Sequence, residues 1–288
     1  MTTSIPFQIA SETHIGLVAL NVADLENMTD FYTQVIGLRI LSQTTTQTNL
    51  GVLDAHPLLV LKKIDHPLPL TKRTGLYHVA FLVPDRGALG EALRHYLTID
   101  APLVGASDHG YSEALYLTDP EGNGIEVYRD KPMSEWDIRE NGEIHGITIE
   151  MDAQGVIDAA TKEWQGFSEE TIVGHVHLKV ADLEKTETFF TDVLGLSLKS
   201  NFGRQAKFFA AGTYHHHIGS NIWMGEHVPA MQEHDLGLSY FSFLVPTKHE
   251  LERLRTHLIE KNIPYQLENM ALWLVDPNGI TIKIDVQH

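Results

Sequence analysis

Residues 22–38 read VADLENMTDFYTQVIGL, and residues 180–196 read VADLEKTETFFTDVLGL, with ten of seventeen positions identical at an offset of 158. Self-similarity at a fixed offset marks a duplicated unit. Two further pairs sit around it. LYHVAFLVP (76–84) matches LSYFSFLVP (238–246), and LYLTDPEGNGIEVY (115–128) matches LWLVDPNGITIKI (272–284) once two residues are gapped. The chain is therefore a duplication in which each half holds two units.

All four units share one local grammar. Each opens with an alternating apolar run, such as Leu17 to Val22 or Val176 to Val180, which has the period of a half-buried strand. A capping aspartate with acidic company follows, in Asp24-Leu25-Glu26 and Asp182-Leu183-Glu184. Leu25, Met28, Phe31, Tyr32 and Val35 then recur at helical spacing, and Gly37 and Gly195 stand where a helix end needs a left-handed residue. Strand-like runs with turns at Asp119-Pro120-Glu121-Gly122 and Asp276-Pro277-Asn278-Gly279 complete the pattern. This predicts an α+β chain of four βαβββ modules at 12–62, 75–130, 172–225 and 238–286. Modules 1 and 2 make an N-terminal half (12–130) and modules 3 and 4 a C-terminal half (172–288). A connecting segment, 131–171, carries a short helix over Ala153–Trp164.

Composition narrows the function. A net charge of −17 argues against nucleic acid or an anionic membrane surface as partner, since both need clustered Lys and Arg. With no cysteine, disulfides, thiolate chemistry and iron–sulfur clusters are excluded. Met1 to Ala10 has neither a basic start nor an apolar run, so the expected location is the cytoplasm.

The module grammar resembles the vicinal oxygen chelate superfamily, which includes glyoxalase I, bleomycin-resistance proteins and type I extradiol dioxygenases. The resemblance covers nearly the whole chain and implies paired modules that form curved open barrels. Metal enzymes of the family place their ligands inside such a barrel. Pairing of module 2 with 3, and of 1 with 4, occurs in this superfamily alongside the ordinary order.

Ligand-type residues are distributed unevenly over the repeats. His78 opens module 2 and Glu126 lies on its last strand, where module 4 has Tyr240 and, with the gap above, Thr281. His175 opens module 3 where module 1 has Leu17. Two imidazoles and a carboxylate on one face form the facial triad of non-haem Fe(II) oxygenases, which leaves coordination positions open. His78, Glu126 and His175 match the extradiol pattern if modules 2 and 3 share a barrel. His14 is the competing ligand and would let modules 1 and 2 pair. Its three-residue offset from the His175 register turns it to the other strand face. Seventeen histidines make chance placement easy, so the weight rests on all three replacing non-ligands.

The resemblance also implies nearby groups. A histidine near the end of module 3 would serve as acid and base, matching His216, with His215 or His217 selected by a one-residue slip. His109 and Tyr116 resemble the family's substrate-contacting histidine and tyrosine, whereas the repeat partner Trp273 has only an N–H to donate. His177 shares a face with His175 but lies further along, as a neighbour. The expectation is an Fe(II)-dependent extradiol dioxygenase, with Mn(II) as an alternative metal. It would act on a catechol-type aromatic diol and O2 and could form a homo-oligomer. The competing expectation is a metal-free sequestering protein with a concavity lined by Trp223, Tyr240 and Trp273. A glyoxalase-type lyase or isomerase would need a carboxylate ligand from module 3, which the sequence lacks.

Overall fold

The computed structural model describes residues 6–52 and 56–287. Four βαβββ modules follow one another, and their strands form two large mixed sheets. The eight-stranded sheet joins modules 1 and 4 through His14–Val22, antiparallel to Gly237–Val245. The nine-stranded sheet joins modules 2 and 3 through Gly75–Leu82, antiparallel to Ile172–Lys179. Each sheet thus takes one module from either half of the chain. In every module the first strand also pairs in parallel with the last, as Gly75–Leu82 does with Gly124–Asp130.

The helices cover one face of each sheet. Asp24 and Asp182 cap their helices through the side chain, accepting from Asn27 N and from Glu184 N and Lys185 N respectively. Met28, Tyr32 and Ile36 are fully buried, as are Leu89, Ala92 and Tyr96 of Arg86–Thr98 and Leu254 and Leu258 of Lys248–Glu260. Each of the leucine, isoleucine and methionine side chains among them contributes about 1.5–3 kcal/mol of burial. The helices of modules 1 and 3 finish as π-helix, over Phe31–Ile36 and Phe189–Val193, so their last turns are wider than the spacing predicts. Gly37 and Gly195 take φ of 96° and 75° at the ends of these turns.

The turns that couple the modules correct one reading of the repeat. Glu121 accepts from Ala23 N and Asp24 N, and Asn278 Oδ1 accepts from Ala181 N, which is the repeat partner of Ala23. Gly122 and Gly279 share positive φ. The two turns therefore correspond without a gap. Strand register agrees, because Ala80 faces Glu126 while its partner Ser242 faces Lys283. The residue matching Glu126 is Lys283, not Thr281, and the ligand position is occupied in module 4 by a cation.

The connecting segment holds the helix Ala153–Ala159, which ends before Trp164 because Ala160 turns to extended backbone. Glu91 and Arg94 of the module 2 helix hold the chain beyond it at Lys162. The segment also forms the strand Ile149–Glu150 at the edge of the nine-stranded sheet. Among the described residues no helix is long and apolar enough to cross a membrane.

Candidate metal centre

His78, Glu126 and His175 come from three adjacent strands of the nine-stranded sheet and converge on one point. Nε2 of His78 lies 3.0 Å from Glu126 Oε2, Nε2 of His175 lies 3.2 Å from the same oxygen, and the two nitrogens are 3.2 Å apart. All three residues are buried. These edges match one face of an octahedron around a divalent ion with bonds of about 2.1 Å. Without a cation, the two imidazole nitrogens crowd each other at 3.2 Å and both turn to the same carboxylate oxygen, Glu126 Oε2. The donor set fits a metal. Three ligands on one face leave the opposite face for other molecules.

Local sequence explains the placement of His175. The pairing of Ile172–Lys179 with Gly75–Leu82 skips a residue between Val173 and His175, which makes Gly174 a bulge. A Cβ on Gly174 would stand 1.8 Å from the Tyr128 hydroxyl, so only glycine fits there. Burial holds the His175 imidazole down to about 4, so it is neutral at neutral pH. Burial alone would raise the Glu126 carboxyl, but His175 and His78 outweigh it and hold the group well below the usual carboxylate range.

Two hydrogen-bond chains flank the triad. On one side, His109 Nδ1 lies 2.9 Å from the Ile147 carbonyl and Nε2 lies 2.6 Å from the Tyr116 hydroxyl. A carbonyl only accepts, so Nδ1 carries the proton and Tyr116 donates its O–H to Nε2. Burial and then the Glu126 charge push the Tyr116 phenol well above its usual range.

On the other side, His215 Nε2 lies 2.8 Å from Asp130 Oδ1, and its Nδ1 lies 2.7 Å from Nδ1 of His216. Donation to Asp130 makes His215 Nδ1 an acceptor. His216 then donates from Nδ1 and keeps the lone pair on Nε2. The His216 ring packs 4.2 Å from that of His175, and burial followed by its histidine neighbours holds its pKa well below the usual value. His215 stacks on Tyr111 at 4.4 Å.

Some expectations change. His14 is not part of the cluster. It opens its strand opposite Leu244, hydrogen-bonds Glu12 O, and lines a separate cleft with His217. His215, His216 and His217 do not alternate as on a strand, because His215 and His216 precede the backbone pairing, which starts at His217. His215 and His216 therefore both reach the triad side. Trp223 stands beside His177 in the nine-stranded sheet, whereas Tyr240 and Trp273 pack together in the other. The concavity imagined from those three aromatics does not exist as one surface.

Asp130, Tyr111 and Ile147 were not singled out from sequence. Asp130 could have been, since it sits four residues beyond Glu126 on one strand face. Ile147 belongs to the connecting segment, and nothing in its composition marks a carbonyl contact.

The sequence family described as the Glyoxalase/Bleomycin resistance protein/Dioxygenase superfamily matches residues 14–127 and 172–283. The chain belongs to this superfamily. A catechol-2,3-dioxygenase of Bacillus subtilis (strain 168) is 39% identical over 264 residues, covering 90% of this chain and 92% of that protein. A putative dioxygenase of Bacillus subtilis superposes with a TM-score of 0.64 at 14% identity, over 97% of this chain and 86% of the other. Glyoxalase I from Zea mays gives 0.55 at 14% identity, over 95% and 92%. Both structures share the fold with this chain. Dioxygenases and glyoxalases of the superfamily use the same scaffold, so the residues around the triad must discriminate between them.

Proposed function

We propose that the chain is an Fe(II)-dependent extradiol dioxygenase that opens the ring of a catechol-type aromatic diol with both atoms of O2. The observation that carries this reading is the His78–Glu126–His175 triad flanked by His216 on one side and the Tyr116–His109 pair on the other. The 39% identity to a catechol-2,3-dioxygenase supports the same reaction class. His78, His175 and Glu126 would hold the metal, and Mn(II) suits the same donor set. When bound, the metal supplies adjacent positions for the diol oxygens and for dioxygen, and a route for electrons between them.

The chain's own groups then have separate tasks. Tyr116, fixed by His109, stands beside the triad as a neutral hydroxyl able to hydrogen-bond a diol oxygen. His216 presents Nε2 as a base because Asp130 and His215 fix its tautomer. It takes a proton from the incoming diol and returns it later in the cycle. Burial of the triad and of His216 keeps bulk water from these transfers. Among the described residues the metal-ligand group ends at three, without the additional carboxylate that a glyoxalase-type centre needs.

Oxygen uptake by anaerobically Fe(II)-loaded protein, with catechol and a panel of substituted catechols, tests the reading. Uptake with a yellow ring-opened product is expected. Bound iron with no uptake across the panel rejects it.

A further inference from the structure

The strand Ile172–Lys179 carries a second buried histidine, two residues beyond His175. His177 is 4% exposed, and its Nε2 is buried with no hydrogen-bond partner among the described residues. A buried polar atom left unpaired destabilises the fold, because it has given up its hydrogen bonds to water without replacement. Such a cost persists at a site where an arriving group pairs the atom. The His177 ring lies 4.9 Å from that of His78, so it borders the triad, yet it stands outside the three-residue ligand cluster.

The strand opposite makes room for this ring. His177 is paired with Gly219, and a Cβ on Gly219 would sit 2.9 Å from the imidazole. The repeat partners are Ala19 and Val60, with the small residue on the first strand and the large one on the last. Module 3 exchanges the sizes, and the slot opened by Gly219 holds an imidazole.

Two half-exposed aromatic side chains stand over it. Tyr77 and Trp223 lie 5.1 and 5.5 Å from the His177 ring and 5.0 Å from each other. Tyr77 reaches this side through an irregularity. Pairing passes from His177 with His78 to Leu178 with Leu76, so Tyr77 is the extra residue of a bulge.

We propose that His177 is a substrate-positioning residue whose Nε2 hydrogen-bonds an oxygen- or nitrogen-bearing substituent on the ring of the diol, with Tyr77 and Trp223 flanking that ring. This rests on the ring-cleavage reading above and makes the preferred substrate a polar-substituted catechol. An unsubstituted ring would leave Nε2 unpaired. A site built to hydrogen-bond a substrate group discriminates strongly against an analogue that lacks it.

The test is anaerobic binding titration of Fe(II)-loaded protein with hydroxymethylcatechols and the matching ethylcatechols, substituted at position 3 or 4. The wild-type protein should prefer the better hydroxymethyl isomer over its ethyl counterpart by about tenfold or more. His177→Phe should abolish that preference with iron content unchanged, and His177→Asn, which keeps a polar group, should retain part of it. Equal wild-type affinities, or a preference that survives His177→Phe, would overturn the assignment. Iron lost from both variants would make His177 a ligand and overturn it as well. Failure of Fe(II)-loaded wild-type protein to bind any diol would instead reject the ring-cleavage reading, and this assignment with it.

Discussion

Nε2 of His78 lies 3.2 Å from Nε2 of His175, although 97 residues separate them in the chain. Glu126 closes the triangle, and the three donors have no other shared partner that would explain the convergence.

Metal content should therefore follow these three side chains. Protein stripped with a chelator and reloaded with Fe(II) should bind a single ion, and His78→Ala or His175→Ala should lose it. His14→Ala should bind as well as wild type. Loading should also raise the unfolding midpoint, since free metal at 100 times Kd adds about 2.7 kcal/mol. Metal analysis and thermal denaturation check both points, and retention in His175→Ala with loss in His14→Ala would reverse the ligand assignment.

Asp130→Asn should lower kcat by roughly 10- to 100-fold, less than the roughly 100- to 10,000-fold that complete loss of acid–base assistance would cost. An amide can donate to His215 where the carboxylate only accepted, which allows the tautomers of His215 and His216 to invert. Bound iron should not change. Steady-state kinetics beside metal analysis separates this effect from a general loss of structure, which would remove the metal too.

Gly174→Ala should destabilise the protein by about 1–3 kcal/mol, the usual cost of overpacking. Its Cβ would meet the Tyr128 hydroxyl at 1.8 Å. The backbone shift that relieves the clash moves His175, so weaker metal binding should accompany the lower midpoint in urea. An unchanged midpoint would show that Tyr128 yields freely.

Asp276 gives a pH signature remote from the triad. Burial pushes its carboxyl up from 3.8 to about 6, against hydrogen bonds from Asn278 and Ile280. As pH rises from about 4 to 6, the unfolded chain releases this proton first, so the contribution to stability falls. The difference is worth roughly 3 kcal/mol. Asp276→Asn has no proton to release, so its stability relative to wild type should improve by up to that amount between pH 4 and 7. Urea denaturation across this range reads the slope directly.

The sequence made the module order legible because strand and helix periods, capping aspartates and terminal glycines are local signals. His78, Glu126 and His175 were visible because duplication supplies an internal reference, against which Leu17 and Tyr240 mark what an unused position looks like. The gap placed after Pro277 was misleading because matching Asn123 to Asn278 looked better than preserving length. The backbone ignores that identity and equates Glu121 with Asn278. Asp130 and Ile147 act through tertiary hydrogen bonds, and no period encodes those. The loop before Ile218 looks like a strand continuation in sequence, a form in which His215 and His216 would face opposite ways.

Exchange of modules between the halves has a consequence for how the molecule assembles. Neither half of the chain owns a complete set of ligands, and the first-strand pairing that unites them joins segments far apart in sequence. Contacts of that range carry a loop-closure cost before they return any stabilisation, so they form slowly and late. The ion's coordination sphere can close only after both halves have folded and exchanged strands. A nascent or half-folded chain would be unable to hold a metal ion between these three side chains, so any chemistry such an ion supports waits until the shell around it is complete.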